Sequence, residues 1–253
     1  MRLCVVLALA SGCSFQHGVA MAIEHDAEVA DAAADAMIDA PPPPFCPTDA
    51  HLRLCFSFDQ NPLPTSLANE GAANVSATLT NVTHTTHGAS GAAQVDATST
   101  IYMPYTAEVA GVQSLEIWYR ADAEPPTNGA RIGLVDSNVY PNISLFLYRV
   151  DPSHQLRCGM GNALYAYDAT LVLGTWYYVA CVCENDTLRM YLDGTKIGET
   201  ATSGCAAGGA FAGPGMTIAQ NNNGGPTGVD EWLVGAVDGV RLWDVAVPVT
   251  PVP

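Results

Sequence analysis

Leu188-Arg189-Met190-Tyr191-Leu192-Asp193-Gly194-Thr195-Lys196-Ile197 is the stretch on which the fold reading turns. Apolar and polar residues alternate on both sides of Asp-Gly, a pair suited to the positive φ that both central positions of a type I′ turn demand. The stretch therefore predicts a β-hairpin. Outward from it, short runs rich in β-branched and aromatic residues alternate with Gly, Asn, Asp and Pro clusters, the pattern of an antiparallel sandwich or barrel. Strands are expected at 52–58, 92–95, 101–103, 114–120, 131–135, 143–150, 155–159, 164–167, 176–183, 187–192, 195–200, 216–219 and 234–243. In the strand at 114–120, Leu115, Ile117 and Tyr119 share one face and Trp118 takes the other, so both sides are open to cover. No long amphipathic helix is offered after residue 45. Residues 46–247 read as one all-β domain, with a Pro-rich tail at 248–253.

Charge narrows the partners. The 253 residues carry 25 acids against nine Lys and Arg, a formal net charge of −16. That balance argues against nucleic acid, which needs basic patches, and against anionic headgroups. Residues 14–50 hold seven acids and no Lys or Arg, and from residue 51 onward 18 acids face eight bases, leaving about −10 there.

Eight cysteines point to an oxidising compartment. Met1-Arg2 and an apolar run from Leu3 to Ala10 suit a signal peptide over 1–12 and are too short to span a bilayer. Leu9-Ala10-Ser11-Gly12-Cys13 resembles the lipobox of bacterial lipoproteins, although Ala10 stands where Leu is commonest. The resemblance implies lipidation of Cys13, with Ser14 directing transport to the outer membrane. The plainer reading is an ordinary cleaved signal and a secreted chain. Residues 13–45 read as a tether. Asp31, Asp35 and Asp39 would stack like charges on one helical face, and Pro41 to Pro44 make a stiff spacer.

Four segments resemble, in order, the strands of laminin-G-like domains of the concanavalin A-like lectin/glucanase superfamily. They are Phe56-Ser57-Phe58-Asp59; Ser114 to Arg120; Gly174 to Cys181 with Leu188 to Gly194; and Gly235 to Trp243. Gly239 departs from the pattern, which has an acid there, and Tyr177-Tyr178 stand where a single His is common. The resemblance implies two antiparallel sheets packed as a jelly-roll sandwich, with ligand at one rim or on the concave face. Most such domains recognise or adhere, and a minority are glycosidases.

With Cys4 in the signal and Cys13 lipidated, Cys46, Cys55, Cys158, Cys181, Cys183 and Cys205 remain, an even set with 15 possible pairings. The family's strand order implies Cys158–Cys181 on neighbouring strands, alongside Cys46–Cys55 and Cys183–Cys205. Cys181-x-Cys183 has the wrong spacing for a zinc ligand pair. The glucanase members carry a Glu-x-Asp-x-Glu strand that this chain lacks, since Glu184-Asn185-Asp186 falls in a turn and Asp230-Glu231 point apart. Gly88-Ala89-Ser90-Gly91 is not a nucleophile elbow, and His84 and His87 read as loop decoration. The resemblance also raises a structural calcium at Asp59 and Asp238, the only cofactor considered. Capping or solvated aspartates are the simpler account.

Trp118 and Trp176 match family core positions. Trp232, beside Asn221-Asn222-Asn223-Gly224-Gly225, and Tyr165 with Tyr167 are the candidate ligand-binding aromatics. The Asn-x-Ser/Thr sites at Asn74, Asn81, Asn142 and Asn185 are incidental in a bacterial lipoprotein. The expectation is a monomeric recognition or adhesion module, held to a membrane through its N-terminal lipid alone, that binds glycan or an envelope or extracellular protein and is not an enzyme. A divergent glycoside-active enzyme using scattered carboxylates, or an envelope scaffold, are the alternatives.

Overall fold

The computed structural model describes residues 45–138, 142–205, 208–209, 213–225, 227 and 229–251. The segments expected as signal peptide, lipidated Cys13 and most of the tether lie outside them. In chain order the strands are β1 (Leu52–Phe56), β2 (Ser66–Ala68), β3 (Ser76–Thr80), β4 (Thr83–His87), β5 (Ser90–Val95) and β6 (Thr100–Pro104). There follow β7 (Ser114–Ala121), β8 (Arg131–Asp136), β9 (Ile143–Val150), β10 (Ser153–Met160), β11 (Ala163–Ala169) and β12 (Trp176–Glu184). The last are β13 (Thr187–Leu192), β14 (Thr195–Ala201), β15 (Gly215–Ile218), β16 (Asn221–Asn222), β17 (Val229–Asp230) and β18 (Gly235–Trp243).

Two eight-stranded antiparallel sheets face each other. The first runs β14-β13-β12-β7-β18-β5-β4, with β1 also pairing on β18; the second runs β11-β10-β9-β8-β15-β6-β3-β2. Alternate residues of both sheets fill the space between them. Leu54, Phe56, Leu115, Ile117, Tyr119, Val179, Val237, Val240 and Leu242 come from the first, and Ile101, Met103, Leu145, Leu147, Leu156 and Met216 from the second. The deciding hairpin forms as the sequence dictates, with Asp193 at φ 50 and Gly194 at φ 77. Asp193 Oδ1 also accepts a hydrogen bond from Tyr178 N at 2.9 Å, tying the turn to β12.

Strands β2, β3, β4, β16 and β17 go beyond the sequence expectation. They are short or rich in Ser, Thr, His and Asn, and their apolar residues are few, so alternation is faint. The first strand ends at Phe56, because Phe58 takes φ 57 and turns the chain while its ring stays in the core. Gly239 has a clear reason to depart from the family pattern. It sits at a bulge in β18 with φ 54, and a Cβ there would run into the Phe45 ring.

Cystine bridges join Cys46 to Cys55, Cys158 to Cys181 and Cys183 to Cys205. Cys158 on β10 and Cys181 on β12 belong to opposite sheets, so they face each other across the core and do not lie on adjacent strands of one sheet. That bridge is a rivet through the sandwich. Replacing both with Ala is expected to lower the unfolding free energy by about 3 kcal/mol, from the loop entropy a bridge of this span removes. Urea unfolding of the double variant measures it; an unchanged midpoint would mean that packing alone holds the sheets together.

Candidate functional site

One rim of the sandwich is built where β7 ends at Ala121. The chain loops through 122–130 and returns in β8, while residues 231–234 bridge β17 to β18. Backbone bonds fasten these pieces: Asp122 N donates to Val234 O at 2.8 Å, Gly174 N to Ala121 O at 2.8 Å, and Gly129 N to Arg149 O at 2.8 Å. They enclose a cleft of about 470 Å³, within the range of small-molecule sites. Its walls are Ala97, Ala123, Pro125, Pro126, Ala130, Ile132, Trp232 and Val234, and three charged residues, Glu124, Arg131 and Glu231, reach into it. Trp232 is 36 % exposed and Val234 38 %. The neighbouring crevice shares Glu124 and is edged by the exposed Val172 and Leu173. Four of the six most exposed large apolar side chains among the described residues therefore border this rim, a concentration that marks recognition surfaces.

The charges at the cleft are already matched. Arg131 pairs with Glu231, lies 4.5 Å over the Phe146 ring and donates to Tyr148 Oη at 3.2 Å. Glu124 lies 3.3 Å from Arg149 and 3.7 Å from His154. Beyond Arg131 a polar pocket of about 120 Å³ opens onto Asp136, Asn138 and Asn221 to Asn223. Asp136 accepts from the backbone N–H groups of Asn222 at 2.9 Å and Asn138 at 3.2 Å. Burial outweighs these bonds and pushes its carboxyl up to about 6.

A second cluster occupies the outer face of the first sheet. The pairing of β12, β7 and β18 sets Tyr178, Trp118 and Asp238 in one row and Trp176, Arg120 and Ala236 in the next. His87 of β4 reaches over them. Its ring stacks on Trp176 at 4.2 Å and tilts against Trp118 at 4.7 Å, and its Nδ1 lies 2.9 Å from Asp238 Oδ2. Ser90 Oγ donates to that same carboxylate oxygen at 3.0 Å. The serine and the imidazole thus share one acceptor, and the other contact of Ser90 Oγ is to the His87 backbone carbonyl at 2.8 Å and not to the ring, which is not the chain of contacts a nucleophilic triad requires. Further along the face, Glu116 accepts from Tyr178 Oη and from Trp243 Nε1 at 2.9 Å. Arg241 Nε lies 2.7 Å from Glu116, off the hydrogen-bond direction, as an ionic contact.

The family model of the Concanavalin A-like lectin/glucanases superfamily matches residues 73–252. The chain belongs to that superfamily. No curated protein matches it. Among solved structures it is similar to Trypanosoma rangeli sialidase in complex with sialic acid, at TM-score 0.57 and 15 % identity over 85 % of this chain and 35 % of the sialidase. It is also similar to the receptor binding domain of botulinum neurotoxin mosaic serotype C/D, at TM-score 0.53 and 8 % identity over 78 % of this chain and 48 % of that one. Domain 4 of a GH43 extracellular arabinanase from Geobacillus stearothermophilus, in complex with arabinotriose, aligns at TM-score 0.48 and 19 % identity over 79 % of this chain and 95 % of the other. The chain spans about a third of the sialidase and about half of the toxin structure. These likenesses are of fold.

Within this lectin/glucanase sandwich the sequence-selected residues part company. Trp232 stands in the rim cleft. Tyr165 and Tyr167 turn inward from β11 and pack against the core, the Tyr165 hydroxyl lying close over Gly198 of β14. The solvent side of β11 carries Leu164, Ala166 and Asp168, and the two tyrosines lie half-buried on the side that faces the core. Trp118 and Trp176 are on the outer face, half-buried, and not in the core between the sheets. His84 and His87 are strand residues of β4 and not loop decoration. Asp59 accepts from Gly91 N at 2.8 Å, and Asp238 is committed to His87 and Ser90. Calcium needs six to eight oxygens, and no group of three His, Cys, Asp or Glu that could hold a metal occurs among the described residues.

A raised carboxyl has a measurable consequence. Because the Asp136 carboxyl moves from 3.8 to about 6, its stabilising contribution is complete below about 4 and is lost as pH rises through 6. Asp136→Asn removes that loss. It is expected to stabilise the protein at pH 8 by on the order of 2 kcal/mol and to change little at pH 4. Urea unfolding at the two pH values reads the difference; equal effects at both would contradict the assignment.

Proposed function

We propose that this protein is a non-enzymatic carbohydrate-recognition module, held to the bacterial cell envelope through a lipid on Cys13, and that the Trp232 cleft is where it takes its glycan. The observation that carries the reading is the state of the Trp232 ring: part-exposed at the lip of the rim cleft of about 470 Å³, with no ring partner among the described residues. A sugar presents an apolar C–H face and a fringe of hydroxyls. Trp232 offers a flat surface to the first, and Glu124 and Glu231 offer acceptors to the second. The tryptophans of the sheet face are less free, since Trp176 stacks on His87 and lies 5.4 Å from the Arg120 guanidinium. Membership of a lectin and glucanase superfamily agrees with a sugar ligand.

Hydrolysis of a glycosidic bond needs one carboxylic acid to give a proton and one carboxylate opposite it. Glu231 and Glu124 are each engaged by a guanidinium group of the protein, so neither is free to flank a glycosidic bond, and this supports recognition over turnover. A glycan array probed with the full-length protein tests the reading. Trp232→Ala is expected to weaken binding more than tenfold, the loss typical of a stacked aromatic anchor, while Trp176→Ala leaves it unchanged. Binding that falls with Trp176→Ala and survives Trp232→Ala would place the glycan on the sheet face instead. For the anchor, Cys13→Ser is expected to move the protein from the membrane fraction to the soluble one, and retention with membranes would argue against lipidation.

A further inference from the structure

The charge arrangement at the rim goes further than a glycan and names its class. We infer that the Trp232 cleft selects uncharged glycans and discriminates against acidic ones, those bearing uronate, sialate or sulfate groups. The inference rests on the carbohydrate reading of the cleft and adds the chemistry of its selectivity.

An acidic sugar held in an enclosed site needs a cation with unspent charge, because a carboxylate or sulfate taken out of water without a partner carries a penalty of several kcal/mol. Among the described residues the only Lys or Arg lining the cleft is Arg131, and it is spent three ways: paired with Glu231, laid over Phe146 and bonded to Tyr148. Arg149, the next one out, faces Asp151 at 2.8 Å as well as Glu124. The same holds beyond the cleft. Arg53, Arg120, Arg189, Lys196 and Arg241 each face a carboxylate. Arg157 is the one described Lys or Arg without an ion pair, and it lies 3.8 Å over the Tyr148 ring on β10, outside the cleft lining.

An anion entering the cleft must therefore break the Arg131–Glu231 pair, leaving a carboxylate unmatched, or remain unmatched itself. The acidic excess of the chain adds repulsion that reaches about one Debye length, ~8 Å at physiological salt. A neutral sugar meets neither obstacle. Its hydroxyls donate to the remaining lone pairs of Glu124 and Glu231 while the ion pairs stay closed, and the apolar walls take its ring faces.

The test uses glycans that differ only in the acid: asialo and sialylated forms of one N-glycan, and desulfated and sulfated forms of one keratan oligosaccharide. Affinities for the full-length protein are measured at low salt and at 0.5 M NaCl. The neutral member of each pair is expected to bind at least tenfold tighter at low salt, with the gap narrowing at high salt. Glu231→Gln, which releases Arg131, is expected to narrow the gap by raising affinity for the acidic member. Equal or tighter binding of the acidic members, abolished by Trp232→Ala, would overturn the selectivity and leave the glycan reading standing. Binding of no glycan, or binding indifferent to Trp232→Ala, would overturn both.

Discussion

The central strand β7 is covered on both faces, and the rest of the molecule answers to that constraint. Toward the second sheet it sends Leu115, Ile117 and Tyr119 into the apolar core; to the other side it sends Ser114, Glu116, Trp118 and Arg120. A strand in the middle of an antiparallel sandwich more often leaves one face to water. Here the outward residues are wholly or half covered, so each polar one must find a partner within the protein. Glu116 is enclosed by Tyr178, Trp243 and Arg241; Arg120 is held by Asp122 and by Gln94 at 3.1 Å. Segments at both ends of the domain supply the cover. Phe45 lies under the Arg241 guanidinium at 4.4 Å, and Val247 N bonds Ser114 Oγ at 3.1 Å.

This cover shapes where a ligand is free to go. A sheet face filled by its own aromatic, histidine and carboxylate groups is internally satisfied, and a ligand there would have to compete with contacts already made. The rim is different. Its loops are pinned by backbone bonds to the ends of β7 and β9 and to Val234 just before β18, so the cleft is held open by main chain, and the Trp232 ring in it has no ring partner among the described residues. Pro125-Pro126 fixes φ along one wall, which lowers the entropy lost when a ligand binds. An apolar, charge-matched cleft is thus largely a product of the loops, to which β8 adds Arg131 and Ile132.

The sequence made the architecture legible because period-2 alternation and turn chemistry are local. Asp193-Gly194 announces its hairpin from two residues, and 143–150 and 187–192 coincide with β9 and β13 to the residue. Strand β4 was hidden for the opposite reason. Thr83-His84-Thr85-Thr86-His87 has no apolar side, since its inner contacts are made by His87 on two indoles, and polarity alone reads as loop. Trp118 and Trp176 misled because the family pattern implies core, although alternation with Leu115, Ile117 and Tyr119 already sets Trp118 on the opposite face of β7, where it pairs in register with Tyr178 of β12. Tyr165 and Tyr167 carried an ambiguity: alternation shows that they share a face, and only the position of β11 beside the opposing β13 and β14 shows which face it is.

Trp232 was found by its place next to an Asn-Gly run, and the structure gives that proximity a cause. Asn221 pairs with Asp230 along the short β16–β17 ladder and also bonds its carboxylate through Nδ2 at 2.6 Å. Asn222 accepts from Gly224 N and Gly225 N at 3.1 and 2.9 Å, folding the polar run back on itself. With the bonds of Asn222 Nδ2 to Gly215 O at 3.0 Å and of Asn223 Nδ2 to Asp230, they engage all three amides within the protein. What they achieve is to aim the next residues: Glu231, at φ 51, bends the chain so that its carboxylate meets Arg131 and the following indole falls at the mouth of the cleft. The polar run is the bracket, and the indole it positions is what stands at the cleft.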